Sequence, residues 1–352
     1  MKDKMRSNEH VKVTVVQPKV VTLLTTFKCS AKCANCCFQC NPTVSKKMTF
    51  EEMKEWIGKC LEAYPSIDMI VFSGGECTLL GNTLLKIIKY SSSLGKHTRI
   101  VTNAWWANSY KTALNYVEKL KAAGLTEINF STGDDHQQWI SFRNVRNAAV
   151  ASYRKGLGCA INIETHDQSK FNFEKFLQKD RVLASCCSSI INGERHIYIE
   201  HGVWAPMRDQ DGKSFRYDMF KESLNYKRCN NLFDNIPINP YGEVLACCGI
   251  TSERNPYLRL GNIKCEELRQ LYERSFMDVL KIWLYVSGPI SILHFIYEVK
   301  GQSYDVPAQH MCMLCKGIFE NAEYMNILRT HVNDYAPSVL LKYNLLIKQF
   351  RK

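Results

Sequence analysis

The sequence predicts an α/β fold, a partial (β/α)6 barrel followed by a smaller cysteine-bearing region. Three observations carry that prediction. Apolar, β-branched runs alternate with helix-period segments over about the first 200 of 352 residues, the pattern of βα units on a parallel sheet. Six strands fit in that span, enough for an incomplete barrel. Cysteine, glycine and polar residues collect in the loops after the strands, the rim where such barrels place their chemistry.

The elements follow in order. Residues 1–18 are polar, end at Pro18 and read as a flexible tail. Residues 19–26, KVVTLLTT, form a buried strand. A cysteine-rich loop follows. Thr49 then caps a helix running to about Ala63, with Glu52 three residues on to complete a capping box. Strands at 68–76, 98–104, 125–133 and 159–166 alternate with helices at 84–95, 110–124 and 145–158, and a sixth strand lies at 196–202. A polar linker at 208–218 marks a change of pattern. Beyond it, residues 238–248 read as a hairpin turning at Tyr241-Gly242. Residues 279–299 are apolar enough to span a bilayer, but Lys281, His294 and the break at Gly288-Pro289 favour a buried helix–turn–helix. The resulting division is a tail at 1–18, a core domain at 19–210, a cysteine-bearing domain at 211–330 and a helical tail at 331–352.

Composition limits the function classes. Apolar residues make up 45% and charged residues 23%, which implies a packed core and argues against disorder. The first ten residues, MKDKMRSNEH, lack the apolar core of a secretory signal, so the expected compartment is the cytoplasm, with no membrane anchor. Sixteen cysteines in a reducing compartment point to metal ligands or reactive thiols before disulfides. The formal charge of +12 is spread along the chain, so no nucleic-acid partner is expected from it.

The thiols fall into sets. Cys29, Cys33 and Cys36 form C-x3-C-x2-C directly after the first strand. Three thiolates on one loop suit an iron–sulfur cubane with one iron left open for a small molecule. A zinc site completed by Cys37 or Cys40 is the structural alternative. Gly74, Gly75 and Glu76 follow the second strand, Asn103 the third and Ser131 the fourth. Residues 133–137, GDDHQ, add two carboxylates and an imidazole to the same rim, either for acid–base work or as a simple turn. The second set is Cys229, then twelve residues, Gly242, four residues and Cys247, with Cys312 and Cys315 far beyond. Four thiols could close a cubane or a zinc ribbon, and spacing alone does not decide. Cys60, Cys77, Cys159, Cys186, Cys187 and Cys265 show no pairing pattern and read as small buried apolar residues.

CSAKCANC after one strand and SGGE after the next resemble the radical S-adenosylmethionine superfamily. The resemblance implies a partial (β/α)6 TIM barrel of radical SAM type. Its [4Fe–4S] cluster would be held by Cys29, Cys33 and Cys36, and S-adenosylmethionine would bind the open iron. Gly74, Gly75 and Glu76 would meet the methionine amino group, and Asn103 and Ser131 the ribose. One departure stands out. The residue before the third cysteine, usually aromatic in the superfamily, is Asn35, and Phe38 lies two residues past Cys36.

The second set resembles the twitch domain, a shortened SPASM domain with one auxiliary [4Fe–4S] cluster, here on Cys229, Cys247, Cys312 and Cys315. No cysteine follows Cys315, so a second auxiliary cluster is not expected. CCFQC, EVLACC and CMLCKGIF resemble the epipeptide epimerases, which convert L residues to D in ribosomally made peptides. That resemblance assigns Cys248 the return of a hydrogen atom to the peptide α-carbon. It implies a ribosomally made precursor peptide as substrate and a flavodoxin or ferredoxin as electron donor. About twenty residues precede the first strand, too few for a winged-helix leader-binding domain, so a separate recognition protein is a possible further partner. Competing readings are a thioether or carbon–carbon crosslinking enzyme, a small-alcohol dehydrogenase and, more remotely, a zinc-dependent nucleic-acid-binding protein.

Overall fold

A computed structural model describes residues 14–165, 168–191, 194–195, 197–203, 228–305 and 310–350. The expected linker at 208–218, and with it the boundary at 210/211, lies outside the described residues, as do residues 1–13 of the expected tail.

The first strand, β1 (Val20–Thr26), is buried along nearly its whole length. A strand covered on both faces has this continuous apolar, β-branched composition rather than an alternating one. Helix α1 (Phe50–Ala63) opens with the expected capping box, Glu52 N–H donating to Thr49 Oγ1 and Thr49 N–H to Glu52 Oε2. The alternation continues through β2 (Met69–Gly74), α2 (Asn82–Ser93), β3 (His97–Thr102), α3 (Tyr110–Ala122) and β4 (Glu127–Thr132). The DDHQ segment is one helical turn, α4 (Asp134–Gln137), and no mere turn. Helix α5 (Phe142–Arg154) starts three residues before the expected position because Ser141 accepts from Arg143 N–H and caps it there. After β5 (Gly158–Thr165) come α6 (Phe173–Lys179) and α7 (Arg181–Ser188), which the sequence reading did not assign. A two-residue pair, β6 (Ile190–Ile191) and β7 (Glu194–Arg195), then leads to β8 (Ile197–Val203).

Strands β1, β2, β3, β4, β5 and β8 pair in that order, every pair parallel. These six strands with their outer helices are the expected partial barrel. The sheet does not stop at β1. Strand β9 (Asn235–Ile238) adds to its free edge in parallel, Val20 opposite Asn235 and Leu23 opposite Ile238. Strand β10 (Glu243–Leu245) turns back on β9 at Tyr241-Gly242, as expected for the hairpin. Strand β11 (Arg259–Asn262) pairs with β10 and closes a nine-stranded order, β11-β10-β9-β1-β2-β3-β4-β5-β8. The C-terminal region is therefore hydrogen-bonded into the same sheet as the barrel.

Helix α8 (Leu268–Arg274) leads to α9 (Val279–Val299), which contains the break at Gly288-Pro289. Gly288 has φ 73° and ψ 175°, a conformation open to glycine, so two helical pieces meet there at an angle. Among the described residues α9 is the one helix long and apolar enough to cross a membrane, and two thirds of its apolar window (67%) is buried inside the protein. Helices α10 (Met311–Glu320), α11 (Ala322–Thr330) and α12 (Val332–Phe350) pack around it. Tyr335, Val339 and Tyr343 of α12 are buried, and Tyr335 lies 4.5 Å from Trp283 of α9, ring centre to ring centre.

Cys60, Cys77, Cys159, Cys186 and Cys187 are buried as expected. Cys265 is the correction: it is exposed, in the surface loop between β11 and α8. Its neighbours Lys264 and Glu266 are spent on surface ion pairs, so nothing apolar covers it.

Candidate active site

The loop after β1 carries the first thiols, and the sheet fixes how that loop leaves. Thr26 Oγ1 accepts from Lys28 N–H at 3.0 Å and donates to the Lys46 carbonyl at 2.7 Å, tying the two ends of the loop together. Cys29 N–H donates to the Asn41 carbonyl at 3.0 Å. Within the loop Ala31 N–H points at Cys29 Sγ, 3.4 Å, and Cys40 N–H at Cys36 Sγ, 3.3 Å. Such amide donors favour thiolates.

The end of β2 passes directly beneath. Gly75 N–H donates to the Thr26 carbonyl and Glu76 N–H to the Lys28 carbonyl. A Cβ on Gly74, which has φ 119°, would press on the Thr26 oxygen, and one on Gly75 on the Lys28 oxygen. These glycines are thus required by the cysteine loop itself, whatever ligand their backbone also meets.

Glu76 is fully buried and holds four donors: Thr78 N–H at 3.2 Å, Thr78 Oγ1 at 2.6 Å, Thr102 Oγ1 at 2.8 Å and Asn103 N–H at 2.8 Å. Burial pushes its carboxyl above the ordinary range, and the donors oppose that. Its carboxylate sits behind the cavity wall and ties the end of β2 to the end of β3. Asn103 continues the chain of contacts, its amide donating to Ser30 Oγ at 3.1 Å and lying 3.6 Å from Cys29 Sγ.

A cavity of about 210 Å³ opens at this rim. Its walls include Cys29, Cys33, Cys36, Gly74, Gly75, Asn103, Ser131 and His136. Of the residues expected at this rim, Glu76, Asp134, Asp135 and Cys248 do not line the cavity. Phe38 also lines it and stacks on Phe27, ring centres 6.1 Å apart. Asn35 does not line it; its N–H is taken by Asp135 Oδ2 at 3.2 Å.

The three polar residues of α4 separate. Asp134 turns away to accept from Lys170 and Phe171 N–H. Asp135 braces the cysteine loop. His136 faces the cavity, and its Nδ1 is 3.0 Å from Glu164 Oε2. Glu164, at the end of β5, was missed by sequence reasoning. It is buried and also accepts from the N–H groups of Asp135 and His136. The single acidic residue of the strand CAINIET was the available signal.

Burial pushes Cys29 up to about 12 and Cys33 higher still, Glu164 adding to the latter. Cys36 goes the other way, down to about 6, chiefly because the Cys40 thiol donates to it. Three converging thiols, two of them costly to ionise in an apolar wall, match a site whose thiolates are stabilised by bound iron.

The second set is assembled from three segments. Cys229 is tied to α9 through its N–H and the Leu284 carbonyl. Cys247 follows β10 and bridges to Leu232. Cys312 and Cys315 stand on the first turns of α10, where His310 caps Cys312 N–H at 3.1 Å. The sulfurs of Cys312 and Cys247 both flank Gly249, and charge on Cys229, Cys312 and Cys315 raises the Cys247 thiol further beyond what burial does. The four expected residues therefore share one locality. Cys248 does not line the cavity described above. It contacts Thr22 of β1, burial pushes it up to about 11, and its charge would be felt by Cys37 on the cavity wall. It directly follows Cys247 of the second set.

Residues 23–152, the segment that builds this rim, match the family described as the radical SAM superfamily. The matched segment carries the three-thiol loop after β1, the glycines that end β2 and the ends of β3 and β4.

The chain is 21% identical over 328 residues to YydG of Bacillus subtilis (strain 168), named as a peptide biosynthesis protein, covering 90% of this chain and 97% of that one. Its fold is similar to that of anSMEcpe solved with AdoMet and the Cp18Cys peptide, with TM-score 0.52 and 13% identity over 92% of this chain and 100% of the other. It is also similar to Streptococcus suis SuiB, with TM-score 0.51 and 14% identity over 79% and 74%.

Proposed function

We propose that this protein modifies a ribosomally made precursor peptide, inverting L residues to D at the α-carbon. The observation that supports the reading is that Cys248 directly follows Cys247 of the second thiol set and is near enough to Cys37 on the cavity wall for its charge to be felt there. The named role of YydG and the peptide bound in the anSMEcpe structure support a peptide substrate.

Cys29, Cys33 and Cys36 would hold a [4Fe–4S] cluster, and Cys229, Cys247, Cys312 and Cys315 an auxiliary one. A [4Fe–4S] cluster held there would, on reduction, supply from S-adenosylmethionine a 5′-deoxyadenosyl radical able to take the peptide α-hydrogen. The residues of the chain do the rest. Gly74 and Gly75 would present backbone to the cofactor, Asn103 and Ser131 would meet its ribose and Phe38 its adenine. Glu76 acts by holding Asn103 and the two loop ends in place. Cys248 donates its hydrogen atom from the opposite face, because S–H is weak beside the bond being formed. Restoring Cys248 takes one electron and one proton, and the four thiols beside it are placed to hold a redox group.

Turnover in heavy water tests this. Each inverted residue should gain one deuterium from exchanged Cys248 S–H. Cys248→Ala should still release 5′-deoxyadenosine but invert nothing. A product lighter than the peptide, with no deuterium, would replace inversion by crosslinking or dehydrogenation.

A further inference from the structure

The end of β3 aims an amide at the cysteine loop. Asn103 is buried, and its Nδ2 lies 3.6 Å from Cys29 Sγ, within reach of a sulfur acceptor, and 3.1 Å from Ser30 Oγ. Which end of the amide faces the thiol follows from the other end. Oδ1 accepts from Trp105 N–H at 3.1 Å, so the amide hydrogens point to the loop. A ring of hydrogen bonds keeps it there. Asn103 N–H donates to Glu76 Oε2, Trp105 Nε1–H donates to Thr78 Oγ1 at 2.9 Å, and Thr78 Oγ1 donates to Glu76 Oε1. Ala104, inside that ring, has φ 60°, a left-handed conformation uncommon for a residue with a Cβ. It is fully buried, and strain of this kind persists only where the surroundings enforce it. The fold thus fixes one donor on one ligand sulfur.

We propose that Asn103 sets the reduction potential of the cluster held by Cys29, Cys33 and Cys36, raising it through a hydrogen bond from its amide to Cys29 Sγ. The inference rests on the functional reading above for the cluster alone, and it is separate from any contact with ribose. On reduction the cluster gains one electron, an external one-electron donor loses one, and no bond is made or broken. The added negative charge spreads onto the ligand sulfurs, so a donor aimed at one of them favours the reduced form. Burial makes this contact count. It pushes the Cys29 thiol up to about 12, which marks a sulfur whose negative charge is poorly solvated.

The test is a redox titration of the reconstituted full-length protein with dithionite, monitored by EPR. It follows the signal that S-adenosylmethionine perturbs, which separates this cluster from the auxiliary one. Asn103→Leu keeps the bulk of the side chain and loses the donor. Its oxidised-to-reduced ratio at a fixed potential should rise about tenfold, equal to a midpoint lower by about 59 mV. Ser30→Ala leaves the Cys29 contact in place, and its ratio should stay within about twofold of the parent. A merely structural role would lower iron content and leave the midpoint of the remaining clusters where it was. An unchanged or raised midpoint in Asn103→Leu overturns the proposal, as does an equal shift in Ser30→Ala. If Asn103→Leu fails to hold iron, the parent decides alone. With 15N in the asparagine side-chain amides, pulsed EPR of its reduced cluster should show a 15N coupling, and absence of that coupling overturns the proposal. A parent with no [4Fe–4S] signal that S-adenosylmethionine perturbs would instead overturn the functional reading, and shows itself before any variant is made.

Discussion

The two thiol sets are built in opposite ways. The first lies within eight residues, 29 to 36, on one loop whose ends are stapled by Thr26 and whose floor is Gly74-Gly75. The second draws on residues 229, 247, 312 and 315, and its geometry exists only once β10, α9 and α10 have come together. A finished parallel sheet organises the first site before any cofactor arrives. At the second site a bound cluster would itself be part of what holds the pieces together.

That contrast can be broken by mutation. The largest effects should come from the thiols. Cys33→Ala should abolish 5′-deoxyadenosine formation yet change unfolding stability by less than about 1 kcal/mol, because the staple remains. Cys312→Ala should cost about 2 kcal/mol or more in reconstituted protein, because α10 loses its tie to the Cys247 loop. Equal stability loss in the two variants, measured by denaturant unfolding, would erase the distinction.

Glu76→Ala comes next. It strands four buried donors at once and should cost about 3 kcal/mol or more, with iron binding falling as Asn103 comes loose. Gly75→Ala should cost about 1–3 kcal/mol and lower iron content, because its Cβ must push the Lys28 carbonyl and Cys29 with it. The smallest effect lies away from both sites. Arg146 holds Asp180 at 2.7 Å, and that pairing keeps the carboxyl below its ordinary 3.8. With the folded pKa depressed, this contribution is present above 3.8 and is lost as pH falls through the lower folded value. Asp180→Asn should be about 1 kcal/mol less stable than the parent at neutral pH and converge with it in acid, read from unfolding midpoints across pH.

How much of the molecule was legible in the sequence follows the same division. The barrel strands and the first site could be read because each is local: β-branched runs make buried strands, and C-x3-C-x2-C puts three thiols on one loop. The capping box at Thr49 and Glu52 is likewise a three-residue signal. Glu164 was not legible, since its meeting with His136 depends on β4 and β5 being neighbours. The inward turn of Glu76 was hidden too, because its partners Thr102 and Asn103 come from the next strand. Cys265 was misread as buried because nothing local distinguishes an exposed cysteine from a packed one. The addition of β9 to the free edge of β1 joins residues more than two hundred apart, beyond the reach of any periodicity.

The most direct test of the account counts metals in anaerobically prepared protein and follows 5′-deoxyadenosine after strong reduction. The expected result is about eight iron per chain, falling to about four when Cys229, Cys247, Cys312 and Cys315 are replaced by alanine, with the nucleoside formed by the parent. A colourless protein holding zinc, or an iron protein that never releases the nucleoside, would contradict it.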